Sequence, residues 1–291
     1  MRIGLHVNTN RDNGYVCAFI TAQAILKYGA TPVLRNEDKG SFPDGLEGVE
    51  FANFFENTPD VIISIGGDGT FLYMVGTYGD TDAAFVGINK GSIGFLAQIN
   101  VEKIDGCIKR IVDGDYQIIK RNRLNVQVFN KAGLLKGGDV CLNDCSIGRG
   151  AKLHIAKLIL KVDGQIAEHF FGDGLIISTA TGSTAYNLAA GGPILMPDMD
   201  DVIITANCSH TLHSFSYVVP SHSVVEIIVE PFETAPIICL DGRDLVDFED
   251  NDRVVIKPHE KMLKTISFGD DNFFGVIRHK IIQKGSFYEN H

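Results

Sequence analysis

The sequence predicts an α/β N-terminal domain with a Rossmann-like parallel sheet, followed by an all-β, sandwich-like C-terminal domain. Three observations carry that expectation. Near-continuous apolar runs, Val61–Ile65 and Ala84–Ile88, alternate with helical patterns in the N-terminal part, as parallel sheets require. From near Tyr116 short strand patterns and turns replace that alternation. The length of 291 residues suits about two domains, with a core that needs no disulfide or metal.

In the first domain, Met1–Val7 and Thr31–Leu34 read as strands. Between them Asn13–Tyr28 has helical spacing and ends at Gly29, a suitable C-cap. Val61–Ile65 shows no alternation, so it is a strand buried on both faces. Thr70–Val75 follows as helix and Ala84–Ile88 as strand. Val101–Val112 places Ile104, Ile108, Ile111 and Val112 on one helical face. The second domain has strand patterns at Leu124–Phe129, His154–Val162, Leu175–Ser178, Val202–Ala206, Val224–Val229, Ile237–Leu240 and Arg253–Lys257. Thr184–Ala190 is its one helical pattern, and Phe273–Ile282 returns to helical spacing. The expected boundaries are 1–119 for the α/β domain, with a tail at 270–291 packing back on it, and 120–269 for the β-rich domain.

Hydrophobic residues at 45% and charged residues at 21% describe an ordinary globular chain and exclude intrinsic disorder. A net charge of −10 without a Lys/Arg cluster argues against a nucleic-acid partner. A polyanionic ligand must then be held by backbone N–H groups, helix N-termini or a metal. The cysteines Cys17, Cys107, Cys141, Cys145, Cys208 and Cys239 form no Cys-x-x-Cys pair and read as thiols in a reducing compartment. No basic and apolar leader follows Met1, and the longest uncharged stretch, 174–197, is rich in polar residues and glycine. The expectation is a soluble, cytoplasmic protein with no membrane partner.

Ile65 leads into Gly66-Gly67-Asp68-Gly69-Thr70 and then a helix. Such a turn can cradle an anion, which makes Gly66, Gly67, Gly69 and Thr70 the candidate phosphate contacts. Asp68 repels phosphate, so it holds a metal, takes a proton or accepts from a sugar hydroxyl. The same residues also suit a tight βα turn with a capping aspartate. At the next strand end stands Asn89-Lys90-Gly91-Ser92-Ile93-Gly94-Phe95-Leu96, where open α/β sheets bind ligands. Asn89 and Phe95 are therefore candidates, and Lys90 is either a phosphate contact or a surface lysine.

In the second domain Asn143-Asp144, Asp173-Gly174 and the run Thr181–Pro193 stand out. In that run small residues admit a flat ligand, hydroxyls and Asn187 offer donors and acceptors, and Tyr186 can stack on a base. A Ser/Thr-capped helix stopped by Gly-Gly-Pro fits it as well. His210 and His213 have near metal-ligand spacing, but nothing completes a set, so no metal-ligating residues are assigned. The acidic run Asp241–Asp252 reads as a solvated hairpin, apart from Asp241-Gly242, which can reach the site.

Taken in chain order, Gly66–Thr70 with Phe71 and Leu72, Asn89–Phe95, Asn143-Asp144 and Asp173–Pro193 resemble the NAD kinase family. The Gly-rich loop alone is shared with diacylglycerol-type, sphingosine-type and phosphofructokinase-like kinases; the Thr181–Pro193 run is far more specific. The resemblance implies transfer of a phosphoryl group from ATP to the adenosine-ribose 2′-hydroxyl of NAD, giving NADP, with a divalent metal such as Mg2+. It also implies a homodimer or homotetramer. Asp68 becomes the proton acceptor, with Gly67 and Gly69 beside it. Asn143 and Asp144 hold the NAD ribose or adenine, His154 contacts the ligand, and Asp173 faces the nicotinamide end. Thr181, Thr184, Ala185, Tyr186, Asn187 and Ala189 line the adenosine pocket.

The chain departs from the family pattern at four positions. Asp144 stands where Glu is usual, and Phe171, Ala180 and Arg243 stand where many members have Arg, Pro and Gln. Phe171 removes a cation near the dinucleotide, and Arg243 is the candidate replacement. These changes bear on the choice between NAD and NADH. Two other functions fit parts of the pattern: a kinase with the same loop for another substrate, and a dinucleotide sensor without transfer.

Overall fold

A computed structural model describes residues 1–91, 94–150, 154–210, 214–269 and 273–278. The Ser92-Ile93 step of the second loop, His213 and most of the expected C-terminal tail lie outside the described residues; residues 273–278 are helical. The chain divides into two compact units, residues 1–120 with 263–291 and residues 121–262.

The first unit begins with β1 (Arg2–Val7), α1 (Val16–Lys27), β2 (Thr31–Arg35), β3 (Glu50–Ala52) and β4 (Val61–Gly66). It continues with α2 (Asp68–Tyr78), β5 (Ala84–Asn89), β6 (Ile99–Asn100), α3 (Ile104–Asp113) and β7 (Gln117–Arg121). Every residue of β4 and β5 is buried, which explains their near-continuous apolar runs. The pairs β1–β2, β2–β3, β1–β4 and β4–β5 are parallel. The strand order β3-β2-β1-β4-β5 reverses its winding between β1 and β4. At such a switch point the loops after the strands diverge and leave a crevice for a ligand. Ile3, Leu5, Val7, Ile63, Ile65, Val86 and Ile88 form the core with Ala18, Ala22 and Ile25 of α1 and Ile104, Ile108 and Ile111 of α3.

The second unit holds β8 (Leu124–Phe129), β9 (Leu135–Cys141), β10 (Asp144–Gly148), β11 (Ala156–Val162), β12 (Gln165–Thr179) and the short helix α4 (Tyr186–Ala189). After these come β13 (Val202–Ser209), β14 (Ser216–Val219), β15 (Val225–Val229), β16 (Ile237–Leu240), β17 (Arg243–Asp247) and β18 (Arg253–Pro258). Its antiparallel strands run in the order β17-β16-β10-β12-β11-β15-β18-β8-β9, with β13 and β14 extending from β12. This sheet folds into a sandwich close to a barrel. Alternate residues such as Leu124, Val126 and Val128, or Leu158 and Leu160, point into one core around Phe170 and Phe215.

The chain returns to the first unit earlier than the expected residue 270. Strand β19 (Leu263–Ser267) pairs in parallel with β5, Thr265 opposite Phe85, and so joins the first sheet. Its Leu-Lys-Thr-Ile-Ser sequence alternates like a strand of either sheet, so only the pairing decides its membership. Among the described residues no helix is long and apolar enough to cross a membrane.

Lys90 is engaged within the first unit. Its Nζ lies 2.6 Å from Asp12 Oδ1, and the fully buried Asp12 also accepts the N–H groups of Cys17 and Ala18 at the start of α1, both at 2.9 Å. Asp12 thus ties the chain leaving β5 to the N-terminus of α1. Replacing Asp12 by Ala removes that cap and leaves Lys90 without its acid, an expected loss of about 2–3 kcal/mol. Urea unfolding checks this, with Asp12→Asn expected to retain part of the stability through its amide oxygen.

Candidate active site

In the first unit β4 delivers the chain into Gly67, the extended N-cap residue of α2. The residue expected to cap that helix does something else. Asp68 sits in the first turn of α2, and its carboxylate accepts the N–H groups of Phe95 at 3.0 Å, Leu96 at 3.1 Å and Ala97 at 3.0 Å. Two loops that follow adjacent strands are joined through this one carboxylate. Gly94 permits the approach, because a Cβ there would stand 1.9 Å from Asp68 Oδ1. Gly67 and Gly69 leave open space beside the α2 N-terminus, whereas the Thr70 hydroxyl accepts from Asn8 Nδ2 at 3.0 Å. Asn89 is buried, and its Oδ1 accepts the N–H of Gly91 at 2.9 Å. The Phe95 ring packs toward Phe273, with centroids 6.5 Å apart.

In the second unit a single corner brings together Asn143, Asp144, Asp241 and Tyr186. The Asp241 carboxylate accepts the N–H groups of Leu142 and Asn143 at 2.8 Å and of Asp144 at 3.2 Å. Opposite it, β12 takes the carbonyls: Thr179 N–H donates to Asn143 O at 2.9 Å and Thr179 Oγ1 to Leu142 O at 2.6 Å. The Tyr186 N–H donates to the Asp144 carboxylate. Burial, and secondarily the charge of Asp241, push Asp144 up to about 7 against that hydrogen bond. Asp241 is also raised by burial, opposed by its three amide donors. Asn143 Oδ1 is buried and has no hydrogen-bond partner among the described residues.

The Thr181–Pro193 run divides between ligand-accessible and internal residues. Thr184 and Ala185 are partly exposed, and Tyr186 and Ala189 are exposed. Asn187, expected to face the ligand, is fully buried. Its Nδ2 donates to Ser183 O and Pro193 O, and its Oδ1 accepts from Thr205 Oγ1 at 2.7 Å, so its amide shapes the run from inside. Thr181 is buried too, and its Oγ1 accepts from Arg121 at 3.3 Å.

Asp173 carries a partner that sequence reasoning missed. Arg149 Nη1 lies 3.3 Å from Asp173 Oδ1, and the Arg149 N–H donates to Asp173 O at 2.8 Å. Arg149 lines a cavity of about 260 Å³ together with Ser146, Tyr186, Asn207 and Cys239. No sequence pattern marks this arginine; the β10–β12 register, Gly148 opposite Gly174, brings it to Asp173. Arg243, the cation expected there, stands 3.2 Å from Asp139. His154 is exposed, with Nδ1 3.2 Å from Glu233. The acidic run is less solvated than expected: Asp252 is fully buried and binds Lys136 at 2.7 Å. Among the described residues no group of three or more His, Cys, Asp or Glu side chains gathers into a metal cage.

Comparison with known proteins is consistent along the chain. The sequence pattern of the ATP-NAD kinase N-terminal domain matches residues 21–116, and that of the ATP-NAD kinase C-terminal domain matches residues 142–268. The chain is 31% identical to an NAD kinase of Acetivibrio thermocellus over 286 residues, 98% of each. It shares the fold of yeast NADH kinase, crystallised with NADH, at a TM-score of 0.86 and 20% identity, over 96% of this chain and 86% of that one. An NAD kinase from Archaeoglobus fulgidus, solved in complex with ATP, is similar at a TM-score of 0.74 and 25% identity, over 96% and 99%.

A carbon-detected NMR titration is expected to give the Asp144 carboxyl a midpoint at about 7 instead of its ordinary 3.8. The folded value lies above the unfolded one. The associated stability is therefore present below about pH 4 and is lost as pH rises through about 7. A midpoint in the ordinary carboxylate range would show that Asp144 is solvated.

Proposed function

The chain belongs to the NAD kinase family, and from that premise we propose that it transfers the terminal phosphoryl group of ATP to the 2′-hydroxyl of the adenosine ribose of NAD, giving NADP and ADP. The observation that carries this reading is the fixed carboxylate of Asp68 at the N-terminus of α2. A ribose hydroxyl is a weak nucleophile at neutral pH, and a positioned carboxylate that accepts its proton activates it. Three main-chain donors hold Asp68 in one orientation, so no reorganisation is needed during transfer.

Phosphoryl transfer otherwise needs positioning and charge neutralisation. Gly66–Thr70 and the α2 N-terminus supply N–H groups and the positive end of a helix dipole for phosphate oxygens. A magnesium ion carried by the triphosphate would supply further charge neutralisation, held by the phosphate oxygens, with no residue of this chain assigned as its ligand. Mg2+ keeps several waters and takes one or two carboxylates besides substrate phosphates. This division suits a chain of net charge −10, which has no bulk positive field to offer. In the second unit Asn143 and Asp144 bind the ribose or adenine, Thr184, Ala185 and Ala189 border the adenosine, and the exposed Tyr186 ring stacks on the base. Asp173 and its partner Arg149 serve the nicotinamide half. The reading extends to a homodimer or homotetramer working in the cytoplasm.

Incubation with ATP, magnesium and NAD, followed by an NADP-specific dehydrogenase, tests the reaction. Wild-type protein is expected to form NADP, and Asp68→Asn to lose about 10²–10⁴-fold in rate while staying folded. Near-normal turnover by the variant removes Asp68 as the base. A wild-type protein that binds NAD without forming NADP is a sensor.

Gly94→Ala provides a second check on the same carboxylate. The added methyl displaces Asp68, with an expected loss of about 10²-fold in kcat. The KM for NAD is expected to stay within about threefold, since the substitution changes a proton acceptor and not a binding surface. Unchanged kcat would show that the position of Asp68 is not critical.

A further inference from the structure

The geometry points to Asp241 as a positioning residue for NAD: its carboxylate holds the backbone of Leu142, Asn143 and Asp144 in the one conformation that presents the Asn143 and Asp144 side chains to the nucleoside. This inference rests on the NAD kinase reading above and assigns the residue that organises the ribose-recognition corner.

Three consecutive amides converge on one carboxylate, an arrangement that main chain adopts for a bound anion. Here the anion is a side chain of the protein itself. The clamp is reciprocal, because the Asp241 N–H donates to Asp144 O at 3.0 Å. A two-residue hairpin between Leu240 and Arg243 sets the carboxylate in place. Asp241 and Gly242 both take left-handed φ, +48° and +78°, as the twist-matched hairpin turn requires. The Leu142 and Asn143 carbonyls are held from the other side by Thr179 and Ser178. The peptide groups of 142–143 are thus gripped on both edges, and the Asn143 side chain is what remains for a ligand. Its Oδ1 is buried without a hydrogen-bond partner among the described residues.

The arrangement also crowds two carboxylates. Charges facing Asp144 and Asp241 come from Arg243, with its partner Asp139, and the thiols of Cys141, Cys145 and Cys239 stand around the pair. A purely structural clamp gains nothing from placing a second acid beside Asp144. Asp241 therefore fixes the backbone that carries Asp144 and adds its charge to burial in raising the pH at which Asp144 ionises.

The test measures NADP formation against NAD, ATP and pH for wild type, Asp241→Asn and Gly242→Ala. Absence of NADP from wild type would overturn the kinase reading itself. With wild type active, Asp241→Asn is expected to raise the KM for NAD about tenfold near pH 8 and to leave the KM for ATP within about twofold. The acid limb of kcat/KM for NAD, which reports the free enzyme, is expected to move to lower pH once the Asp241 charge is gone. Gly242→Ala tilts the turn more gently and is expected to raise the KM for NAD severalfold, which keeps the inference testable should Asp241→Asn fold poorly. Unchanged NAD constants in the folded variants, equal shifts for NAD and ATP, or an acid limb that stays in place in Asp241→Asn would each overturn it.

Discussion

Backbone N–H groups in segments that leave regular structure must find acceptors, and this chain meets that need with carboxylates. Asp12 accepts the first amides of α1, Asp68 those of residues 95–97, and Asp241 those of residues 142–144. Two segments proposed to touch a ligand, 95–97 and 142–144, are fixed in this way, whereas the Thr181–Pro193 run is held by the Asn187 amide. A charged acceptor makes roughly twice as strong a hydrogen bond as a neutral one. One side chain can therefore hold an entire turn that has no helix or sheet ladder of its own.

The same device has a cost in charge. A chain that uses acids as anchors becomes acidic, and its ligands are themselves polyanions. Amides given to carboxylates are also lost to phosphate. The compromise lies in the geometry of the first unit. The amides of residues 95–97 are committed to Asp68, while Gly67 and Gly69 keep the α2 N-terminus open. In the second unit the cost takes another form: burial raises both Asp144 and Asp241, and the charge of Asp241 adds to the effect at Asp144. The strain falls on the residues assigned to substrate recognition, where a carboxylate near its ionisation midpoint can respond to a bound hydroxyl.

Much of this was legible in the sequence, and the failures have identifiable physical causes. Val61–Ile65 and Ala84–Ile88 announce strands buried on both faces because they are apolar at nearly every position and show no polar alternation, Ser64 being the one polar residue in the two runs. Strand β12 is different. It runs 15 residues, yet only Leu175–Ser178 reads as strand, because Gly172-Asp173-Gly174 looks like a turn. In fact Gly174 is needed mid-strand: a Cβ there would meet the Ile147 carbonyl at 2.2 Å. Asn187 illustrates the converse. Its residue type suits a ligand contact, but type does not show which way an amide faces. Asp68 was legible because three flanking glycines isolate it. Asp241 stood apart from the acidic hairpin as a residue able to reach the site, but only the fold reveals that its carboxylate turns onto the main chain of residues 142–144.

Register explains how the cation at the far end of the second-unit site is supplied. The NAD kinase resemblance leads one to expect an arginine at position 171, and this chain has a phenylalanine, 37% exposed. Position 171 lies on β12 opposite Lys157 of β11, whereas Asp173 lies beside the end of β10. An arginine placed one residue beyond Gly148 therefore arrives at Asp173 from the opposite neighbour strand. The antiparallel pairing of Gly148 with Gly174 lets it do so without any change of backbone. Arg243 cannot serve the same acid, because its own strand sets it against Asp139. The cation beside Asp173 in this chain thus comes from the end of β10, a placement that strand register decides and residue type alone does not mark.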